Sequence, residues 1–162
     1  MQIRKAVMQD ADTVLYLTQT TIRAVYPHYY PAGAVEFFSR HHSPASIAAD
    51  IAAGIVWLLT ADDGRPAGTV TVRNNEILRL FVLPDDQGNG YGGALLRYAE
   101  QVVAASYETA VLDVSLAAKS IYRTHGYTEK DYAVIRTENG DFLCYDIMEK
   151  PLRGTGGTAH DT

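Results

Sequence analysis

A single cysteine, Cys144, and a single tryptophan stand in a chain of 162 residues. One cysteine closes no internal disulfide and builds no cysteine zinc cluster. Long apolar runs are also missing: stretches such as 51–60 and 77–83 fall far short of the roughly 18–20 residues of a membrane span. Positive charge is scarce, with 14 Lys and Arg against 19 Asp and Glu and a net charge of −5. No window supplies the basic stripe of a nucleic-acid binder. Met1-Gln2-Ile3-Arg4-Lys5 lacks the apolar run of a signal peptide, so a reducing, cytoplasmic setting is expected. His41 and His42 are adjacent, a spacing without use for ligation, and no metal is expected.

What is present is an ordinary globular balance, 47% hydrophobic and 20% charged, enough to bury a core without staples. Met1–Met8 reads as a strand. Asp10 is placed to cap a helix whose apolar positions include Val14, Leu17, Ile22 and Val25. A ring-rich loop, Pro27-His28-Tyr29-Tyr30-Pro31, follows. A second helical region, Ala34–Ala53, is broken near Ser43-Pro44. Strands are expected over 55–61, 68–73 and 76–83, with Asp62-Asp63-Gly64 as a hairpin turn. A helix over 90–106, a strand over 111–116 and a short helix over 117–125 come next. Two last strands flank the turn Glu138-Asn139-Gly140-Asp141. This order predicts an α+β domain over 1–152, a mixed sheet flanked by helices. The Gly/Thr-rich residues 153–162 are expected to be a disordered tail.

The most informative segment is Gln87-Gly88-Asn89-Gly90-Tyr91-Gly92-Gly93. It lies between a buried strand and an amphipathic helix. Glycines let successive N–H groups turn toward one point, and the helix start adds unpaired amides and a positive dipole end, which suits phosphate. The Walker A ending Gly-Lys-Ser/Thr is missing. Gly88, Gly90 and Gly93 meet the dinucleotide pattern G-x-G-x-x-G, but the loop follows three strands rather than opening a βαβ unit. A third pattern, Gln/Arg-x-x-Gly-x-Gly, is met by Gln87, Gly90 and Gly92.

With Glu76 through Leu96 and Leu112 through Tyr127, the chain resembles the GNAT superfamily of acetyl-CoA-dependent N-acetyltransferases. The resemblance implies a mostly antiparallel mixed sheet flanked by helices, with acetyl-CoA as co-substrate. It implies that the backbone of Leu80, Phe81 and Val82 binds the pantetheine arm. Gln87, Gly88, Asn89, Gly90, Tyr91, Gly92 and Gly93 would hold the pyrophosphate. Ser115 stands where many members have Asn; it either bonds the cofactor or caps the next helix. Tyr122, seven residues after Ser115, would protonate the departing thiolate as general acid. Glu76 would take the amine proton directly or through water, and strand alternation puts it on the face of Val82. Tyr26, Tyr29 and Tyr30 would line the acceptor pocket. The loop departs from the pattern in having no Arg or Lys over 85–89, leaving Arg97, Lys119 and Arg123 as nearby cations.

The reading is an N-acetyltransferase moving acetyl to a primary amine on a small molecule, by direct attack in a ternary complex. The alternatives are acetylation of a protein amine, a non-catalytic CoA-binding regulatory module, and a small dinucleotide binder. Family members often dimerise, but no residue pattern here specifies a dimer.

Overall fold

The computed structural model describes residues 1–152; the expected tail lies outside them. In chain order the elements are β1 (Gln2–Lys5), α1 (Ala11–Val25), α2 (Ala32–His41), α3 (Pro44–Ala52), β2 (Val56–Thr60), β3 (Pro66–Arg73), β4 (Glu76–Val82), α4 (Tyr91–Ala104), β5 (Thr109–Val114), α5 (Lys119–Thr124), β6 (Thr128–Arg136) and β7 (Phe142–Pro151). They form one seven-stranded sheet in the order β1-β2-β3-β4-β5-β7-β6. Every pairing is antiparallel except β4–β5. The expected α+β class and sheet type are the ones found.

Local chemistry explains most boundaries. The broken helical region becomes α2 and α3, because Pro44 cannot continue a helix and Ser43 restarts one, its hydroxyl accepting from the Ser46 N–H at 3.2 Å. Both expected hairpins form, β2–β3 and β6–β7. Asp10 does precede α1 but does not cap it with its side chain. Its carboxylate instead accepts the Val7 N–H at 2.8 Å and a two-pronged pair from Arg4 at 2.8 and 2.9 Å, a stronger use of a charged acceptor.

Helices cover both faces of the sheet. On one, α1 and α3 place Val14, Leu17, Ile47 and Ile51 against Val56 and Leu58 of β2. On the other, α4 buries Leu95, Leu96, Ala99 and Val103 against Val70, Val72, Ile77 and Leu112. Each fully buried Leu contributes about 1.5–3 kcal/mol. Gly68 of β3 sits where α4 comes closest: a Cβ there would lie 2.8 Å from Leu95 Cδ1 and 2.9 Å from the Phe81 carbonyl oxygen. Gly68→Ala is therefore expected to cost about 1–3 kcal/mol by overpacking, read as a lower urea midpoint at unchanged slope. An unchanged midpoint would show that the layers can move apart freely.

Candidate active site

The site begins with an irregularity in β4. Thr71 of β3 faces Leu78 and Thr69 faces Phe81, so three steps on β4 match two on β3. The extra residue is a β-bulge, marked by Arg79 at φ +51°. Residues opposite one another share a face, so Glu76, Leu78 and Phe81 point to one side and Ile77 and Val82 to the other. This corrects the expectation that Glu76 shares the face of Val82: the alternation is reset at the bulge. Glu76 is exposed at the start of the strand.

Beyond Glu76, opposite Val111, β4 has no further register with its parallel neighbour β5. The two strands diverge, and a cavity of about 490 Å³ opens where they part. Its walls are Thr21, Val25 and Tyr26 of α1 and its end, the last residues of β4 at Leu80, Phe81 and Val82, the glycine loop, and Ser115 with α5. Of the residues expected to hold a cofactor, all but Asn89 line it. The Asn89 amide turns back to donate to the Asp86 carbonyl at 3.0 Å.

Gly88 and Gly90 have φ of +83° and +80°, with open space around both. Glycine is needed there for backbone conformation rather than for room. Gly90 is the N-cap of α4, so the first α4 amides end at the cavity with no helical acceptor of their own. The Gln87 amide donates to the Val82 carbonyl at 3.2 Å, tying the loop to the strand end.

Tyr122 of α5 lies in the cavity wall with its ring edge-on to Tyr127, centroids 5.7 Å apart. Burial pushes its phenol up to about 12, so the proton stays on through neutral pH. Burial raises the Tyr26 phenol as well, the Ser115 hydroxyl partly offsetting the effect by hydrogen bonding. Ser115 does not cap α5, whose N-cap is Ala118; the capping alternative fails.

The other two tyrosines have different places. Tyr30 is buried, accepting the Leu116 N–H at 2.8 Å and donating to the Cys144 carbonyl at 2.9 Å. It pins the α1–α2 connection to β7 and the segment after β5. Tyr29 is 51% exposed and outside the cavity wall.

Two neighbours escaped the sequence reading. His125 lines the cavity; its Nδ1 bonds the Ile121 carbonyl at 2.8 Å and its Nε2 lies beside Gly93. The Gly-Tyr helix end that follows it hid this role. Asp113 of β5 occupies the same face as Val111, opposite Glu76, and both residues are exposed and outside the cavity wall. The Asp113 carboxyl is held above the usual range by partial burial and by the Glu76 charge. Of the candidate cations, Lys119 pairs with Asp146 at 2.9 Å and Arg123 with Glu129. Arg97, its Nη1 beside Gly93, has no carboxylate partner among the described residues.

A model of the acetyltransferase (GNAT) domain family matches residues 25–142. The chain belongs to the GNAT acetyltransferase family. The fold agrees. A GCN5-related N-acetyltransferase structure from Rhodopseudomonas palustris superposes with a TM-score of 0.85 at 23% identity, covering 93% of this chain and 95% of that one. The PaiA N-acetyltransferase of Thermoplasma acidophilum, solved with coenzyme A, gives 0.71 at 23% identity over 93% and 98%. A phosphinothricin acetyltransferase from Sinorhizobium meliloti, solved with acetyl-CoA, gives 0.69 at 17% identity over 99% and 92%. A search of curated proteins finds no match.

In this GNAT protein the bulge is backed by a buried polar cluster. The Arg79 side chain, 5% exposed, donates from Nε to His42 Nδ1 at 3.1 Å and from Nη2 to Asp50 at 2.7 Å and Ser46 at 3.4 Å. Arg73 takes the other Asp50 oxygen at 2.6 Å. Burial, with the Arg79 charge second, lowers His42 from 6.5 to about 3. Between those values the unfolded chain binds a proton that the folded protein refuses, so stability falls as pH drops through this window. His42→Asn, which keeps an acceptor for Arg79, is expected to flatten that fall by a few kcal/mol, since each tenfold difference in proton affinity between folded and unfolded chain is worth about 1.4 kcal/mol. Parallel urea titrations across the window check it; equal slopes would mean that His42 charges freely in the folded state.

Proposed function

We propose that this protein transfers acetyl from acetyl-CoA to a primary amine on a small molecule, by direct attack in a ternary complex. The observation behind this is the cavity that joins the parted β4 strand, the glycine loop and the Tyr122 phenol. A linear thioester cofactor has a polyanionic end and a reactive end, and the cavity offers an anion-binding loop at one side and a protonated phenol at the other. Leu80, Phe81 and Val82 would receive the pantetheine arm along the unpaired edge of β4. The amides of Gly88 through Gly93 and the α4 dipole would hold the pyrophosphate. Arg97 beside Gly93 supplies the side-chain donors that the loop lacks.

The amine lone pair attacks the thioester carbonyl carbon, a C–N bond forms, and the C–S bond breaks. Tyr122 donates its proton to the sulfur as the C–S bond breaks and negative charge builds there, and the phenolate left behind regains a proton from solvent. The amine proton passes to Glu76 or to water. Asp113 shares the sheet face of Glu76, both outside the cavity wall, and its upward shift makes it a second carboxylate to which water can relay that proton. Cys144 is half-buried in β7 and outside the cavity wall, which favours direct transfer over an acetyl-cysteine intermediate.

Thermal unfolding with graded acetyl-CoA, against CoA, NAD and ATP, tests the cofactor. Ligand at about a hundred times its Kd adds roughly 2.7 kcal/mol, a rise of several degrees in a domain this size. A rise with NAD instead would overturn the reading. With an amine found by thiol-release screening, Tyr122→Phe is expected to lower kcat roughly a hundredfold while acetyl-CoA affinity holds. An unchanged kcat would remove Tyr122 from the chemistry, and no turnover with any amine would favour a binding module.

A further inference from the structure

The edge of β4 that faces the cavity has no strand beside it to hold its position. Register with β5 ends at Glu76 and Val111, and register with β3 is interrupted between Leu78 and Phe81. The residue inside that interruption, Arg79, has a φ of +51°, a conformation that is strained for an arginine. Something must hold it there. Among the described residues, the groups that bond the Arg79 side chain come from α3 and the turn before it: His42, Ser46 and Asp50, at 3.1, 3.4 and 2.7 Å. His42 also stands edge-on to Phe81, ring centroids 5.9 Å apart at 82°. The residues on either side of Leu80 are thus fastened to one cluster.

We propose that Arg79 is a positioning residue for the cofactor. Its guanidinium, tied to Asp50 and His42, fixes the bulge so that the Leu80–Phe81 backbone meets the pantetheine arm. Arg79 touches no cofactor atom itself. The inference rests on the acetyl-CoA reading above, and it separates the two ends of the ligand: the glycine loop is built without Arg79, so the pyrophosphate end should not feel its loss.

Arg79→Gly is the direct test. Glycine accepts the positive φ, and Asp50 keeps Arg73 at 2.6 Å, so no buried carboxylate is orphaned. Arg79→Asn, tolerant of the same φ but too short to reach α3, controls for glycine's added freedom. Acetyl-CoA and adenosine 3′-phosphate 5′-diphosphate, which carries the pyrophosphate without pantetheine, are titrated calorimetrically into the wild type and both variants. The expected result is an acetyl-CoA affinity about tenfold weaker, the worth of a displaced hydrogen bond or two, with the fragment's affinity unchanged within about twofold. Proportional loss for both ligands, no loss for either, or failure of both variants to fold would overturn the proposal and leave Arg79 a stability element. A wild-type protein that binds neither ligand would overturn the cofactor reading first, and the inference would fall with it.

Discussion

Everything at the site depends on where two parallel strands stop pairing. β4 and β5 share a register only at Glu76 and Val111, after which a sheet that is continuous elsewhere divides. A strand leaving its neighbour exposes backbone donors and acceptors, and such groups are costly to leave unmet. The fold tolerates the gap because both flanks are held independently. On one flank α4 packs against β3 and β4 through Leu95, Leu96 and Ala99. On the other, Tyr30 bonds the Leu116 amide and the Cys144 carbonyl and Asp50 anchors Arg79. The opening is a built feature, and its unpaired edge is what a ligand with amide groups along its length can complete.

The net charge of −5 is at odds with a polyanionic cofactor only on average. Acidic side chains in the neighbourhood are largely engaged: Asp146 with Lys119, Glu129 with Arg123, Glu100 with Lys150 and the Tyr127 hydroxyl. Those pairs also engage two of the three nearby cations, so under the proposed function phosphate binding would fall to amides, the α4 dipole and Arg97. Oriented backbone amides attract an anion without a long side chain having to be ordered first, which is how an acidic surface can still hold one.

The fold was largely legible because its signals are local. Helix starts and stops at Ser43-Pro44 and Gly90, hairpin turns at Asp63-Gly64 and Asn139-Gly140, and the apolar period of α4 each act within a few residues. The glycine loop was legible for the same reason: Gly88 and Gly90 carry a conformational need that is written in the residue type. The readings that changed involve distant partners. Asp10 was a good cap by position, but Arg4 competes for its carboxylate. Tyr29 and Tyr30 are neighbours in the chain, yet one is exposed and the other buried. Glu76 changed sides because one extra residue in β4 reverses the alternation. A bulge at an arginine has no signature in the sequence, since the groups that bond its side chain lie on α3 and the turn before it.

The sequence by itself determined the α+β class, the sheet's hairpins and the glycine loop, because propensity, capping and turn geometry need only nearby residues. The tertiary structure alone decided where β4 and β5 part, which side of β4 Glu76 occupies, and that Arg97 and His125 stand beside the glycine loop. Those outcomes are set by packing and ion pairing between segments far apart in the chain, whose energies exist only once the chain has folded.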